Sequence, residues 1–144
     1  MSKIYRVLDR VHTEVIPTIK KVLNKNIPIY YNKVYMGDKH IIDRVVDRGF
    51  SIDIPLKNIT YLFTDVIEKH ICEILYHLHY SNKQVRINSV YKKSKEEGIL
   101  LGISIEKKVD SSNRDCLIWK LVTYIPEWDI RNKKDFITFF VHNK

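Results

Sequence analysis

Apolar residues recur at helical spacing along the chain as far as Tyr80 and then alternate at every second position. From Ser2 to Asn24 they follow one another at steps of three and four, which is typical of an amphipathic helix with one buried face. Pro17 lies inside this segment, where it removes an amide donor and crowds the preceding turn. The helix is therefore expected to kink or divide there.

The stretch between this helix and Tyr80 predicts a strand, two helices and a short extended piece. Ile27 to Met36 is rich in β-branched and aromatic residues and indicates a strand. Lys39 to Arg48 alternates apolar and charged pairs, which favours a short helix, and Phe50 to Ile54 is expected to be extended. Leu56 to Tyr80 carries the strongest apolar stripe and predicts a long helix at the centre of the core.

The alternation after Tyr80 predicts a sheet. Val85 to Lys92, Ile99 to Lys107 and Cys116 to Ile125 are expected to be three strands of an antiparallel meander. The tail from Phe136 to Val141 fits either a fourth strand or a short closing helix. The chain is therefore predicted to be a single α+β domain over residues 1–144, with N-terminal helices and one long central helix packed on an antiparallel sheet of about four strands.

Composition adds a net charge of +8 over 144 residues, and a potential of that sign attracts polyanions such as nucleic acid or acidic membranes. The chain has no alanine and is rich in Ile, Lys, Asn and Tyr. This composition is typical of an AT-rich coding genome, as in many viruses, and is therefore compatible with a viral protein. Because such genomes favour lysine, bulk charge alone does not identify the partner.

Hydropathy and cysteine usage predict a protein that stays in the compartment where it is made. No apolar run approaches the roughly 18 residues that a transmembrane segment needs, and the N-terminus opens with charges. Cys72 and Cys116 belong to no C-x-x-C pair, which favours free thiols in a reducing environment. The expected location is cytoplasmic, or the host cytoplasm or nucleus for a viral protein.

The strongest indication of a polyanionic partner is a segment without acidic residues from Lys83 to Lys95, here called the basic strip. In strand register Arg86, Asn88 and Lys92 share one face, so the strip would present cations and a hydrogen-bonding amide together. Such a surface could neutralise phosphates. The predicted nucleic-acid contacts are Lys83, Arg86, Asn88, Tyr91, Lys92, Lys93, Lys95, Lys107 and Lys108.

No recognised nucleic-acid-binding signature accompanies the strip: there is no aromatic RNP motif, no GXXG loop and no helix-turn-helix pattern. A further basic cluster, Arg131, Lys133 and Lys134, precedes the tail. The competing interpretation is a solvated sheet face whose lysines keep the strand edges from pairing with other chains.

Two patterns could carry metal chemistry. His70, Glu73 and His77 fall on one side of the predicted central helix and could begin a metal site, although a fourth ligand would have to come from elsewhere. The favoured interpretation is that the histidines edge the apolar face and are hydrogen-bonded to Glu73 or to the backbone. Glu127 and Asp129, which flank Trp128, are interpreted as solvated acids in an exposed loop.

The second pattern, Glu106 and Lys108 at the end of an apolar strand, resembles the last motif of PD-(D/E)xK nucleases. The resemblance implies a carboxylate that holds Mg²⁺ and a lysine that orients water or phosphate. Such a site needs another acidic residue, for which Asp53 and Glu97 are the candidates. No Gly-rich phosphate loop and no nucleophile elbow is present.

These observations favour a small basic, non-enzymatic nucleic-acid-binding protein with no cofactor and no metal, which uses a lysine-rich sheet surface. The alternative from another class is a protein-interaction module, a viral or accessory factor that forms a homodimer or binds a protein partner through anchors such as Trp119 or Trp128. A metal-dependent nuclease built on Glu106 and Lys108 is the second alternative.

Overall fold

The computed structural model describes residues 2–37, 39–47, 51–81, 84–132 and 137–141, with residue 47 described for its backbone only. Within them the chain forms an α+β fold with a helical layer and one five-stranded sheet.

The N-terminal helix changes its hydrogen-bond pattern just before Pro17 but continues without a gap from Lys3 to Asn26, so the predicted division into two helices is not seen. Helix α1 spans Lys3–Arg10, a single π-helical turn spans Val11–Val15, and α2 spans Ile16–Asn26. The amide of Ile16 donates to the carbonyl of Val11, five residues back, so the hydrogen-bond ladder widens at this point. Because proline has no amide hydrogen to continue a regular ladder, the π turn absorbs the defect.

Helix α3 spans Lys39–Asp47 and the long helix α4 spans Asp53–Tyr80. The prediction of an extended segment from Phe50 to Ile54 was wrong for its last two residues, because α4 already begins at Asp53. Phe50 lies outside the described residues. Proline is tolerated in a first helical turn, so Pro55 does not delay the start of α4. The described part of the chain contains no helix that is long and apolar enough to span a membrane.

The sheet is mixed and has five strands in the order β1-β4-β3-β2-β5. Its strands are β1, Tyr31–Met36; β2, Gln84–Lys92; β3, Glu97–Val109; β4, Asp115–Asp129; and β5, Ile137–Val141. Strands β2, β3 and β4 form the predicted antiparallel meander. However, β1 pairs with β4, and β5 with β2, in parallel.

The prediction of about four antiparallel strands was therefore only roughly right. The two parallel strands sit at the edges, and the tail that fits either a strand or a helix forms β5. Turn signals reveal which consecutive strands form hairpins, but they do not show where a strand that arrives through a long connection will dock.

The main core lies between the helices and one face of the sheet. Helix α4 packs on β2, β3 and β5, α2 packs on β1, and α3 packs on β4. At its centre the rings of Phe63 and Trp119 meet edge to face with centroids 5.7 Å apart. Ser89 Oγ donates a 2.7 Å hydrogen bond to the carbonyl of Leu62, which joins β2 to α4. The long helix laid across one sheet face is as the sequence predicts.

A buried asparagine, Asn32, ties β1 to this core. Its Nδ2 donates to Asn24 Oδ1 at 3.2 Å and to the carbonyls of Ile27 and Tyr30 at 3.3 Å each. Its Oδ1 accepts a 3.1 Å hydrogen bond from Trp119 Nε1. Asn32 thereby satisfies the indole N–H of the largest fully buried side chain.

The position of Gly98 at the start of β3 allows a direct test of the sheet geometry. A methyl group there would lie 2.8 Å from the backbone oxygen of Tyr91, which cannot move without disturbing β2. At Gly102 the closest atom would be Thr123 Cβ at 3.3 Å. We expect Gly98→Ala to lower the free energy of unfolding by about 1 to 3 kcal/mol and Gly102→Ala by less, as measured by urea unfolding. Equal stability of Gly98→Ala and the parent would contradict the register of β2 and β3.

Candidate nucleic-acid interface

The second face of the sheet carries the candidate site and is here called the open face. Along each strand it takes the residues that alternate with those facing the helices. Cross-strand pairing assigns to it Tyr31, Lys33 and Tyr35 of β1; Cys116, Ile118, Lys120, Thr123, Ile125 and Trp128 of β4; Gly98, Leu100, Gly102, Ser104, Glu106 and Lys108 of β3; Gln84, Arg86, Asn88, Val90 and Lys92 of β2; and Thr138 and Phe140 of β5.

None of the described helices contributes to the apolar cluster on the open face. This small cluster is formed by Val90, Leu100 and Trp128, with Ile125 and Ile130 packed against it. It occupies the end of the sheet next to the turn between β2 and β3, since Trp128 pairs with Gly98. The rest of the face mixes polar, basic and small residues with the exposed rings of Tyr31, Tyr35 and Phe140 and with Ile118.

Basic side chains are spread over four strands of the open face. They are Lys33, Arg86, Lys92, Lys108 and Lys120, on β1, β2, β3 and β4. The one acidic side chain among the residues assigned to this face is Glu106, whose Oε1 lies 3.6 Å from Lys108 Nζ. The described open face is therefore strongly cationic.

Aromatic rings lie among these cations. Tyr31, Tyr35 and Phe140 are exposed to 43%, 48% and 45%. The guanidinium of Arg114 lies 4.3 Å from the centroid of the Tyr31 ring, and Lys33 Nζ lies 5.6 Å from it. Cations held against an exposed ring give a surface that can attract a phosphate and stack a base within a short span.

Arg114 is held over Tyr31 by the turn that joins β3 and β4. Asp110 Oδ1 accepts 2.9 Å hydrogen bonds from the amides of Ser112 and Arg114, and its Oδ2 accepts one at 3.0 Å from Arg114 Nε. The backbone and side-chain hydrogen bonds from Arg114 keep the pKa of the Asp110 carboxyl below its usual value. Asp110 therefore stays ionised at neutral pH, and it both orients Arg114 and offsets part of its charge.

The structure places the described members of the predicted contact set in three positions: on the open face, in the turn between β2 and β3, and on the helix-facing side. Arg86, Asn88, Lys92 and Lys108 lie on the open face, and the first three share that face as the predicted register requires. The exposed Lys93 and Lys95 lie in the turn between β2 and β3. The role of all of them in nucleic-acid binding stays a prediction.

Two predicted contacts lie on the helix-facing side. Tyr91 is half-buried and packs against the main core. Lys107 is also half-buried, with its Nζ 5.6 Å from the centroid of the Tyr30 ring. Lys83, Lys133 and Lys134 lie outside the described residues, and Arg131 pairs with Asp129 through two 3.0 Å hydrogen bonds.

Lys33 and Lys120 are the open-face cations that sequence reasoning missed. Each lies in a strand between residues that are buried in the core: Val34 follows Lys33, and Trp119 and Leu121 flank Lys120. That alternation could have placed each lysine on the solvent side of its own strand. It could not have shown that β1 lies beside β4, which is what brings both lysines to the surface that carries Arg86.

The histidine cluster does not assemble into a ligand set. His70 Nδ1 lies 3.2 Å from Glu73 Oε1, and the His70 ring stacks on Phe139 with centroids 4.6 Å apart. His77 instead meets the edge of the Tyr76 ring. No group of three or more metal-binding side chains is found in the described ranges. The hydrogen bond between His70 and Glu73 is as the favoured interpretation expects.

The carboxylates considered for a nuclease are also apart. Glu97 and Glu106 are nine residues apart on β3, which corresponds to about 30 Å along a strand. Asp53 is at the first turn of α4, where it is bound by Arg10. In the described residues the nuclease hypothesis therefore gains no support.

Two sequence interpretations at the end of β4 need correction. Glu127 and Asp129 belong to strand β4, not to an exposed loop. Trp128 between them is 5% exposed and Trp119 is fully buried, so neither indole is available as a surface anchor in this structure.

No family model matches the chain, and neither the curated proteins nor the solved structures contain a match to it.

Proposed function

We propose that this protein binds nucleic acid without catalysing a reaction and that the open face is its contact surface. The observation that carries the proposal is the convergence of Lys33, Arg86, Lys92, Lys108 and Lys120 on one sheet face. No described helix covers this face, and its one acid among the described residues, Glu106, lies beside Lys108. A concentration of cations on one surface attracts a polyanion more strongly than the same charges distributed evenly.

Single strands fit this surface better than duplexes. Exposed rings on a sheet can stack on unpaired bases, whereas the bases of a duplex are already stacked on one another. Tyr35 is adjacent to Lys120 across the pairing of β1 with β4, and Tyr31 carries Arg114 over its ring. Each ring therefore has a cation beside it, which suits the alternation of base and phosphate along a strand.

Binding should depend steeply on salt. Five phosphate contacts with a single strand release counterions with a slope of about −3.5 in log affinity against log salt, which is a loss of about a hundredfold between about 50 and 200 mM. Fluorescence anisotropy with generic single-stranded DNA and RNA at several salt concentrations measures this slope. Absence of binding at the lowest salt, or affinity that does not change with salt, would rule out the proposal.

A protein-interaction module is the second candidate, because the open face also presents apolar groups. Tyr31, Tyr35 and the half-buried Ile118 lie close together where the edge strand β1 pairs with β4. A homodimer through this region would leave the open-face cations near one another and would be favoured by high salt. Sedimentation equilibrium at low and high salt tests the homodimer, since a monomer at both salt concentrations excludes it.

A further inference from the structure

One arginine beside the open face is fixed in place by hydrogen bonds. Arg114, in the turn between β3 and β4, has its guanidinium 4.3 Å from the centroid of the Tyr31 ring. Its Nε donates a 3.0 Å hydrogen bond to Asp110 Oδ2, and its backbone amide donates one of 2.9 Å to Asp110 Oδ1. Because the turn holds both ends of the side chain, Arg114 loses little conformational entropy when it binds a ligand.

The outer edge of this guanidinium is available to a ligand. Asp110 engages Nε, and neither Nη1 nor Nη2 of Arg114 has a hydrogen-bond partner among the described residues. The Arg114 side chain is 56% exposed, whereas that of Asp110 is 14% exposed. A ligand can therefore reach the two terminal nitrogens without displacing the carboxylate. Together they form a planar fork of N–H donors, which fits two acceptors that lie side by side.

The local charge favours a neutral ligand over a phosphate at this fork. The hydrogen bonds from Arg114 keep the pKa of the Asp110 carboxyl below its usual value, so at neutral pH its negative charge offsets that of the guanidinium. A phosphate at the fork would lie near this carboxylate and be repelled by it, whereas a neutral base would not. Lys33, whose Nζ is 5.6 Å from the centroid of the same ring, has no acidic partner in the described ranges and is the better phosphate contact.

We propose that Arg114 reads a base that presents two adjacent hydrogen-bond acceptors, which in a single strand means guanine or cytosine. Guanine offers O6 and N7, and cytosine offers O2 and N3, whereas no two acceptors lie side by side in adenine or thymine. This inference rests on the proposed function and adds a base preference to it. Arg114 is the specificity-determining residue, and Asp110 is the positioning residue that holds it.

The test measures affinity for three oligonucleotides of equal length, namely oligo-dT carrying one guanine, one cytosine or one adenine. We expect the parent chain to bind the first two about tenfold more tightly than the third, because a bidentate contact discriminates between bases by about this factor or more. Arg114→Lys keeps the positive charge but cannot form the fork, so this ratio should fall to about 1. Fluorescence anisotropy at low salt measures each affinity.

Lys33→Gln is the matched control, because Lys33 approaches the same ring from its own strand. It should weaken the binding of all three oligonucleotides by a similar factor, keep the ratio of about ten and reduce the salt slope by about 1. The phosphate contact and the base contact beside Tyr31 are thereby separated.

Asp110→Asn tests the positioning role. The substitution removes a negative charge and releases the head of Arg114, so affinity for plain oligo-dT should rise while the ratio between the base-substituted oligonucleotides falls. If Asp110 only stabilised the turn, its loss would not raise affinity for oligo-dT. An unchanged ratio in Asp110→Asn would show that Asp110 does not position Arg114.

The other outcomes are distinct. If the parent binds no oligonucleotide at low salt, the proposed function and the assignment of Arg114 both fail. If the parent binds all three equally, only the assignment fails. An equal loss for all three in Arg114→Lys would show that the fork holds a phosphate, and an unchanged ratio would show that another residue reads the base. Either result would overturn the assignment.

A second measurement keeps the assignment testable if Arg114→Lys folds poorly. In the parent chain, replacing guanine by 7-deazaguanine removes N7, and replacing cytosine by 3-deazacytosine removes N3. Each replacement leaves the fork with one acceptor and should lower affinity to that of the adenine-containing oligonucleotide. If both modified oligonucleotides bind as tightly as the unmodified ones, Arg114 does not read a pair of acceptors.

Discussion

Replacing Lys33, Lys92 and Lys120 together by glutamate is expected to weaken nucleic-acid binding by about a hundredfold or more at low salt. The three lysines lie on three different strands of the open face and none of them pairs across the sheet with an acidic residue. The variant therefore removes three phosphate contacts and introduces repulsion without burying a charge. Anisotropy titration with a single-stranded oligonucleotide measures the loss.

The matched control is Lys21, Lys39 and Lys69 replaced together by glutamate. These lysines are exposed and lie on α2, α3 and α4, the helical layer behind the sheet. The control makes the same change to the net charge of +8. If both variants lose affinity equally, binding depends on bulk charge and the open face is not the contact surface. Both proteins should unfold within about 1 kcal/mol of the parent, because exposed charge substitutions have small effects on stability.

Asn32→Leu is expected to lower the free energy of unfolding by about 2 to 4 kcal/mol, the largest stability effect predicted for this chain. The substitution removes the acceptor of the Trp119 indole N–H, which lies in the core, and a donor shared by two backbone carbonyls and Asn24. An unsatisfied buried donor costs about 1 to 3 kcal/mol, and the freed carbonyls add to it. Urea unfolding followed by tryptophan fluorescence measures the change.

Asn88→Leu is the natural comparison, since both asparagines are buried in the same sheet. Asn32 is fully engaged, whereas Asn88 Nδ2 has no partner. The same substitution should therefore destabilise at position 32 and leave stability unchanged or raised at position 88. If Asn32→Leu is no less stable than Asn88→Leu, the hydrogen-bond network around Trp119 does not hold β1 to the core.

The elements that could be predicted are those with a strong local signal. The apolar stripe of α4 and the alternation in β2, β3 and β4 appear directly in the sequence, because the residues that create each pattern lie within one element. Pro17 likewise marks the irregular turn in the first helix, since its missing amide hydrogen acts only on the adjacent turn. The start of α4 was missed although its signals are local: Ser51 Oγ accepts a hydrogen bond from the amide of Asp53, and Pro55 lies in the first turn.

The residues of the candidate site likewise divide into those that a local sequence pattern reveals and those that only distant contacts place. Arg86, Asn88 and Lys92 were placed on one face from the two-residue period of their own strand. That period does not reveal which strands flank β2, so Lys33 and Lys120 were missed. Tyr91 and Lys107 were included for their side-chain type, although both lie on the helix-facing side.

The sequence by itself determined the fold class, the central meander and the basic strip, because these depend on propensity, periodicity and charge within short segments. Only the tertiary structure decided that β1 and β5 join in parallel at the edges and that all the helices named here leave the open face uncovered. Those outcomes depend on contacts between residues far apart in the chain. The unpartnered side-chain amide of Asn88 arises from the same long-range packing.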